Sequence, residues 1–158
     1  MSQSPLLKSG LKLDNYVRDL PQRFNKDKLG GTNATLKETF VDPHVQRRGD
    51  STRYPLSTVL AEWLVDSSRR QLAITAEYGR GKSTAMLKFC TDWAMRYVKT
   101  GGSEERIPLL IELRGQNPAE SDPLTFLSAW AARYALNPKQ ILNLIEGTPS
   151  CGACIWPT

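Results

Sequence analysis

Apolar residues along this chain recur with two different periods, and the alternation between them predicts its elements. Within "PLSTVLAEWLVDSS", residues 55–68, Val59, Leu60, Trp63 and Leu64 fall on one face of a helix whose first turn suits Pro55. Arg69 and Arg70 follow, where the helix dipole favours cations. "QLAIT", 71–75, is a short apolar run that predicts a buried strand. From residue 82 to 98, Ala85, Phe89, Trp93 and Tyr97 recur at steps of four, flanked by Met86 and Cys90, and predict a long helix stopped by Gly101 or Gly102. "IPLLIEL", 107–113, predicts a second strand. "SDPLTFLSAWAARYAL" and "NPKQILNLIEG" each carry a helix-start grammar: Asp122 then Pro123, and Asn137 then Pro138, with Gly147 as a stop. Strand, loop, helix, strand and two helices imply a parallel pair joined by a right-handed crossover.

The first third reads differently. Residues 1–35 are polar and punctuated by Pro5, Gly10, Pro21, Gly30 and Gly31. A short helix before Pro21 and a loop at "KLGGTNAT" are predicted there. In "TLKETFVDPHV", 35–45, Pro43 limits the segment to a short strand or extended stretch.

Between the first apolar strand and the long helix lies "AEYGRGKST". Aligned to the phosphate-binding pattern G-x-x-x-x-G-K-[ST], it reads Ala76 to Ser83, with alanine in place of the first glycine. Gly79 and Gly81 let backbone N–H groups turn toward an anion with no Cβ in the way. The following helix adds its free N–H groups and positive end. Lys82 is placed to reach the β- and γ-phosphates, and Ser83 to offer its hydroxyl to Mg²⁺. Thr84 lies near the α-phosphate. The nucleotide-binding set is Ala76, Gly79, Arg80, Gly81, Lys82, Ser83 and Thr84, with Ser83 the metal ligand and ATP or ADP with Mg²⁺ the cofactors.

"TAEYGRGKSTAMLKFCTDWA" followed by "RIPLLIELRG" resembles the start of a NACHT domain, the NTPase core of NLR-like signalling proteins of the STAND class, and "ETFVDPHV" is similar to a segment upstream of the loop in bacterial members. The resemblance covers residues 36–148. It implies an α/β fold, a partial P-loop NTPase with a Rossmann-like parallel sheet and flanking helices, between a polar segment at 1–35 and an atypical tail at 149–158. It also implies an ATPase that switches between an ADP-held resting state and an ATP-bound oligomer, in bacteria often in defence against phages. By the same resemblance Val41 to His44 lie near the adenine, and partners are a full-length NACHT protein or a second copy of the chain. Arg114 is read as a structural cation at a strand end.

Hydrolysis needs an acid after a further core strand. In NACHT proteins that strand is four hydrophobics and then Asp-Gly-Leu-Asp-Glu. Here Glu146 is the last acid, and the chain continues "TPSCGACIWPT". Glu112 sits within its strand, Asp122 is a cap and Glu77 is in the loop itself. The expectation is a chain truncated before the Walker B strand, with no catalytic residue and negligible ATP turnover. Only two strands, or three, are legible, which would leave apolar faces and an open edge.

Composition alters this little. Charged residues make up 23% and hydrophobic ones 40%, ordinary for a globular chain. No apolar run approaches a membrane span or a signal-peptide core, so a cytoplasmic protein is expected. Net charge is +5, and residues 1–54 hold 10 Lys/Arg against 6 Asp/Glu. A basic adaptor or nucleic-acid-binding protein keeping an NTPase remnant is the alternative function, although no recognition helix or stacking motif accompanies the charge. The plainer reading of that excess is a solvated, partly flexible segment. A small P-loop kinase would need a lid with arginines that the residues after 115 do not offer. Cys151 and Cys154 have the CxxC spacing of half a zinc site or a redox pair, but no second pair follows. Cys90 is read as a packed thiol.

Overall fold

A computed structural model describes residues 13–66, 72–101, 108–112, 122–147 and 153–156. Helix α1 spans Asp14–Lys26 and buries Tyr16, Val17, Leu20 and Phe24 on one face. The helix does not stop before Pro21 as the sequence predicts, but runs through it. Pro21 removes the bond to the Val17 carbonyl, and burial of the four large side chains around it outweighs that loss. The solvated, flexible reading of the first third is likewise corrected for this segment: Tyr16 and Leu20 are among the most deeply buried side chains of the described residues.

A loop with an isolated bridge between Lys28 and Thr35 leads to α2, Leu36–Thr39. Thr35 and Glu38 form a reciprocal capping box there. A one-turn helix thus replaces part of the extended stretch predicted over 35–45. Strand β1, His44–Gln46, pairs antiparallel with β2, Arg53–Pro55. Helix α3 is Leu56–Val65, so Pro55 stands just before the helix and not inside its first turn. Val59, Leu60, Trp63 and Leu64 are buried on one face, as the spacing predicts. Arg69 and Arg70 lie outside the described residues.

Helix α4, Lys82–Lys99, matches the predicted long helix. Ala85, Met86, Phe89, Cys90 and Trp93 are buried, and Gly101 adopts φ +66° just past its end. It packs against α1, where the buried Thr91 hydroxyl donates to the Leu20 carbonyl at 3.2 Å. The Lys88 ammonium lies 5.7 Å from the ring centres of both Phe24 and Phe40, tying α1 and the segment after α2 to this helix. Helices α5, Pro123–Arg133, and α6, Pro138–Gly147, start as predicted: the Asp122 carboxylate accepts from the Thr125 N–H, and the Asn137 side chain accepts from the Lys139 N–H.

Strand β3, Leu109–Glu112, carries three fully buried apolar residues. It pairs parallel with β4, Ala153–Trp156, a strand in the tail that the sequence reading did not anticipate. Opposing it, Leu110 gives its N–H to the Tyr16 hydroxyl at 2.7 Å, and its carbonyl accepts from the Trp130 indole at 2.8 Å. The Tyr16 hydroxyl in turn donates to the Pro108 carbonyl at 2.7 Å. Side chains therefore satisfy the Leu110 backbone groups where an open edge was expected.

This explains the main departure from expectation. Residues 72–77 form no strand, so the predicted parallel pair between 71–75 and 107–113 is not made. With β4 on one side and Tyr16 and Trp130 bonded to Leu110, β3 has no ladder to offer that segment. Only Ile74 of it packs against the core. The mixed helix-and-strand class holds, while the P-loop parallel sheet does not form among the described residues. No described helix is long and apolar enough to cross a membrane.

Candidate phosphate-binding site

The glycine turn at 78–81 forms without the strand predicted before it. Gly79 and Gly81 adopt φ +78° and +75°, the left-handed region that residues with a Cβ rarely enter. A Cβ built on either glycine would meet nothing within 4 Å. Backbone conformation, not crowding inside the protein, is what requires glycine here.

Gly81 is the N-cap of α4 and has no side chain to accept from the first turn. The opening N–H groups of an α-helix have no intrahelical acceptor. Here they are left uncapped at the positive end of an 18-residue helix. Lys82 opens that helix, and its ammonium donates to the carbonyls of Ala76 and Glu77 at 2.7 and 2.8 Å. An ammonium has three N–H groups, so one remains for an anion. Arg80 pairs with Glu77 across the loop at 2.9 Å, with both side chains mostly exposed. Ser83 is exposed in the first helical turn, and Thr84 beside it is half-buried.

The loop opens onto a cleft of about 1030 Å³, as large as the pockets that hold small-molecule ligands. Its walls are the segment 43–48, the inner face of α3, and residues 72–77. Ala76, Arg80 and Lys82 line it, while Gly79, Gly81, Ser83 and Thr84 do not. Of the residues expected near a base, Pro43 and His44 are in the wall; Val41 is exposed outside it. The segment is held in place by Asp42, which accepts from the Ser57 hydroxyl at 2.6 Å, and by the Pro43 carbonyl, which accepts from the Leu56 N–H at 2.8 Å. Arg47 is paired with Glu62 at 2.8 Å and lies over the Tyr54 ring. Arg48 and Lys82 line the cleft and make no ion pair among the described residues.

The carboxylates weighed as hydrolytic acids are engaged elsewhere. Glu112 accepts from Arg23 at 2.7 Å, and both are largely buried. Burial works against the Arg23 charge, but Glu112 beside it more than compensates and raises its pKa. Asp122 is the α5 cap and Glu77 is paired with Arg80. No cluster of three or more metal-binding side chains occurs among the described residues. A Mg²⁺ ion here would therefore depend on the Ser83 hydroxyl and the phosphates it accompanies. Cys151 and Arg114 lie outside the described residues, and Cys90 is buried in the core.

Sequence reasoning assigned Trp63 only to the apolar face of α3. It also lines the cleft, and its Nε1 is the buried side-chain polar atom without a hydrogen-bond partner among the described residues. Helical spacing reports which face a residue occupies, not whether its polar atom finds a partner, so the sequence carried no signal of this.

Comparison of the chain with family models, with curated proteins and with solved structures found no match.

Proposed function

We propose that this chain binds a nucleoside triphosphate, ATP with Mg²⁺, through the loop at Ala76–Thr84. The observation that carries this reading is the ammonium of Lys82, held by two loop carbonyls beside the uncapped start of α4 and at the mouth of the cleft. A helix N-terminus with unpaired N–H groups attracts phosphate, and a lysine with one N–H to spare adds a point charge.

In this reading the N–H groups of Gly79 to Thr84 and the Lys82 ammonium bind the phosphate chain, and Ser83 orients the metal. Arg80 leaves Glu77 for the incoming charge. The metal neutralises the phosphates when bound. Glu77, Glu112 and Asp122 are engaged with Arg80, Arg23 and the start of α5, so none of them is assigned to activate water. The function proposed is binding with little or no turnover, as in a nucleotide module of a NACHT-type signalling protein, and by that resemblance in bacterial antiphage defence. Its partner would be a full-length NACHT protein or a second copy.

Calorimetric titration of the full chain with ATP and with ADP in Mg²⁺ tests the binding. Micromolar binding of both supports the reading, and no heat from either refutes it. Turnover should stay below about 1 per minute, well under the low end of enzyme rates. A faster rate that disappears in Lys82→Ala would contradict the assignment of no catalytic acid.

A further inference from the structure

Cations reach the cleft from two of its walls. Arg80 and Lys82 come from the glycine loop, and Arg47 and Arg48 from the end of the 43–48 segment. Against these four, Glu77 is the one carboxylate that lines the cleft among the described residues. A cleft lined by one sign of charge focuses its field on ligands of the other sign.

Arg48 stands on a braced backbone. It follows β1 in a tight turn, where the Asp50 N–H donates to the Arg47 carbonyl at 3.0 Å and Gly49 takes φ +84°. The Asp50 carboxylate accepts from the Thr52 N–H at 2.8 Å and from the Tyr54 hydroxyl at 3.1 Å. The ion pair of Arg47 with Glu62, and the bond from the Ser57 hydroxyl to Asp42, anchor the same segment to α3. Arg47 thus helps to hold the turn, and Arg48 beside it is carried into the cleft. A cation presented from a fixed backbone loses less freedom on binding than one on a loose loop.

An anion that engages both walls carries charge at several points along its length. A lone phosphate or carboxylate does not, whereas a chain of phosphates does. A guanidinium fits it well, since its fork of N–H groups meets two phosphate oxygens at once. Resting on the nucleotide reading above, we infer that Arg48 is a second phosphate-binding residue. It holds the phosphate chain from the β1–β2 turn, while Lys82 and the loop hold it from the start of α4.

The experiment titrates the full chain with Mg-ATP and with inorganic tripolyphosphate, at low and at high salt, for wild type, Arg48→Gln and Arg53→Gln. Arg53 is an exposed arginine on β2 of the same hairpin and does not line the cleft, so its variant removes an equal charge from outside the site. Arg48 is itself exposed in a turn, so its loss leaves the buried core untouched. Arg48→Gln should weaken both ligands about tenfold at low salt, the effect of losing a charge-assisted contact, and salt should narrow that gap. Arg53→Gln should bind both as wild type does. The inference is overturned if Arg48→Gln binds like wild type, or if Arg53→Gln weakens binding as much, which would make the effect one of overall charge. It is also overturned if Arg48→Gln weakens ATP but not tripolyphosphate, which would place Arg48 at the base or ribose. Failure of wild type to bind either ligand defeats the nucleotide reading itself, a result distinct from those three.

Discussion

Single atoms decide several features of this protein. Tyr16 is fully buried, and its hydroxyl both donates to Pro108 and accepts from Leu110. Tyr16→Phe leaves two buried backbone groups unpaired and should cost about 2–4 kcal/mol in a denaturant titration. A loss below about 0.5 kcal/mol would show that Leu110 is satisfied some other way. At Gly81, φ +75° with open space around it separates conformation from crowding. Gly81→Ala should cost about 1–2 kcal/mol from the left-handed backbone alone, with weaker ATP binding. Asp50 is half-buried, and the Thr52 N–H holds its carboxyl below the usual range, with help from Tyr54 and Arg47. A carboxyl depressed in the folded state adds stability above its unfolded pKa, about 4, and loses it as pH falls through the lower folded value. The melting temperature of Asp50→Asn should therefore lie below wild type at pH 7 and converge with it as pH drops under that window. A gap that persists in acid would assign the effect to something other than charge.

Elements show how far sequence pattern reaches. Helices α3 to α6 were legible because apolar spacing and capping residues agree: Asp122 and Asn137 bond as their positions predict, and Gly101 closes α4 in the left-handed region. The glycine loop was legible for the same reason, since its conformation is local. Helix α1 was cut short because Pro21 was read as a breaker. Its tertiary contacts override a local rule, as a lone proline cannot report what its neighbours bury. Pro21→Ala restores the N–H to the Val17 carbonyl and should stabilise the protein by about 1–3 kcal/mol in denaturant; destabilisation would mean that the ring itself is needed in the packing. The run at 71–75 looked like a strand because a short apolar run cannot say whether a partner edge exists. Strand β4 was missed because four residues in a tail carry too little pattern of their own.

The whole molecule joins an α1–α4 helix layer to β3 through few but specific polar contacts. Tyr16, Trp130 and Tyr134 meet edge-on or tilted with centroids 5.2–5.5 Å apart, and the first two bond the backbone of β3. The ion pair of Arg23 with Glu112 joins the same two layers across 89 positions of sequence. Arg23→Ala would leave a largely buried carboxylate without this partner and should destabilise by about 3 kcal/mol. That pairing also bears on function, since it uses an acid of β3 for structure. Reading residues 1–35 as a polar segment apart from 36–148 did not foretell it, because partners so distant in sequence leave no local trace.

Lys82 bears the central claim, that the loop and cleft form a nucleotide site. The most direct test is calorimetric titration of the full chain with Mg-ATP beside Lys82→Ala, with circular dichroism to show that both are folded. Loss of one charge-assisted phosphate contact in a preformed loop should weaken binding at least about tenfold, and more when several phosphates share it. Micromolar binding by wild type that vanishes in Lys82→Ala is the predicted result. Equal binding by the two proteins, or none by folded wild type, would contradict it.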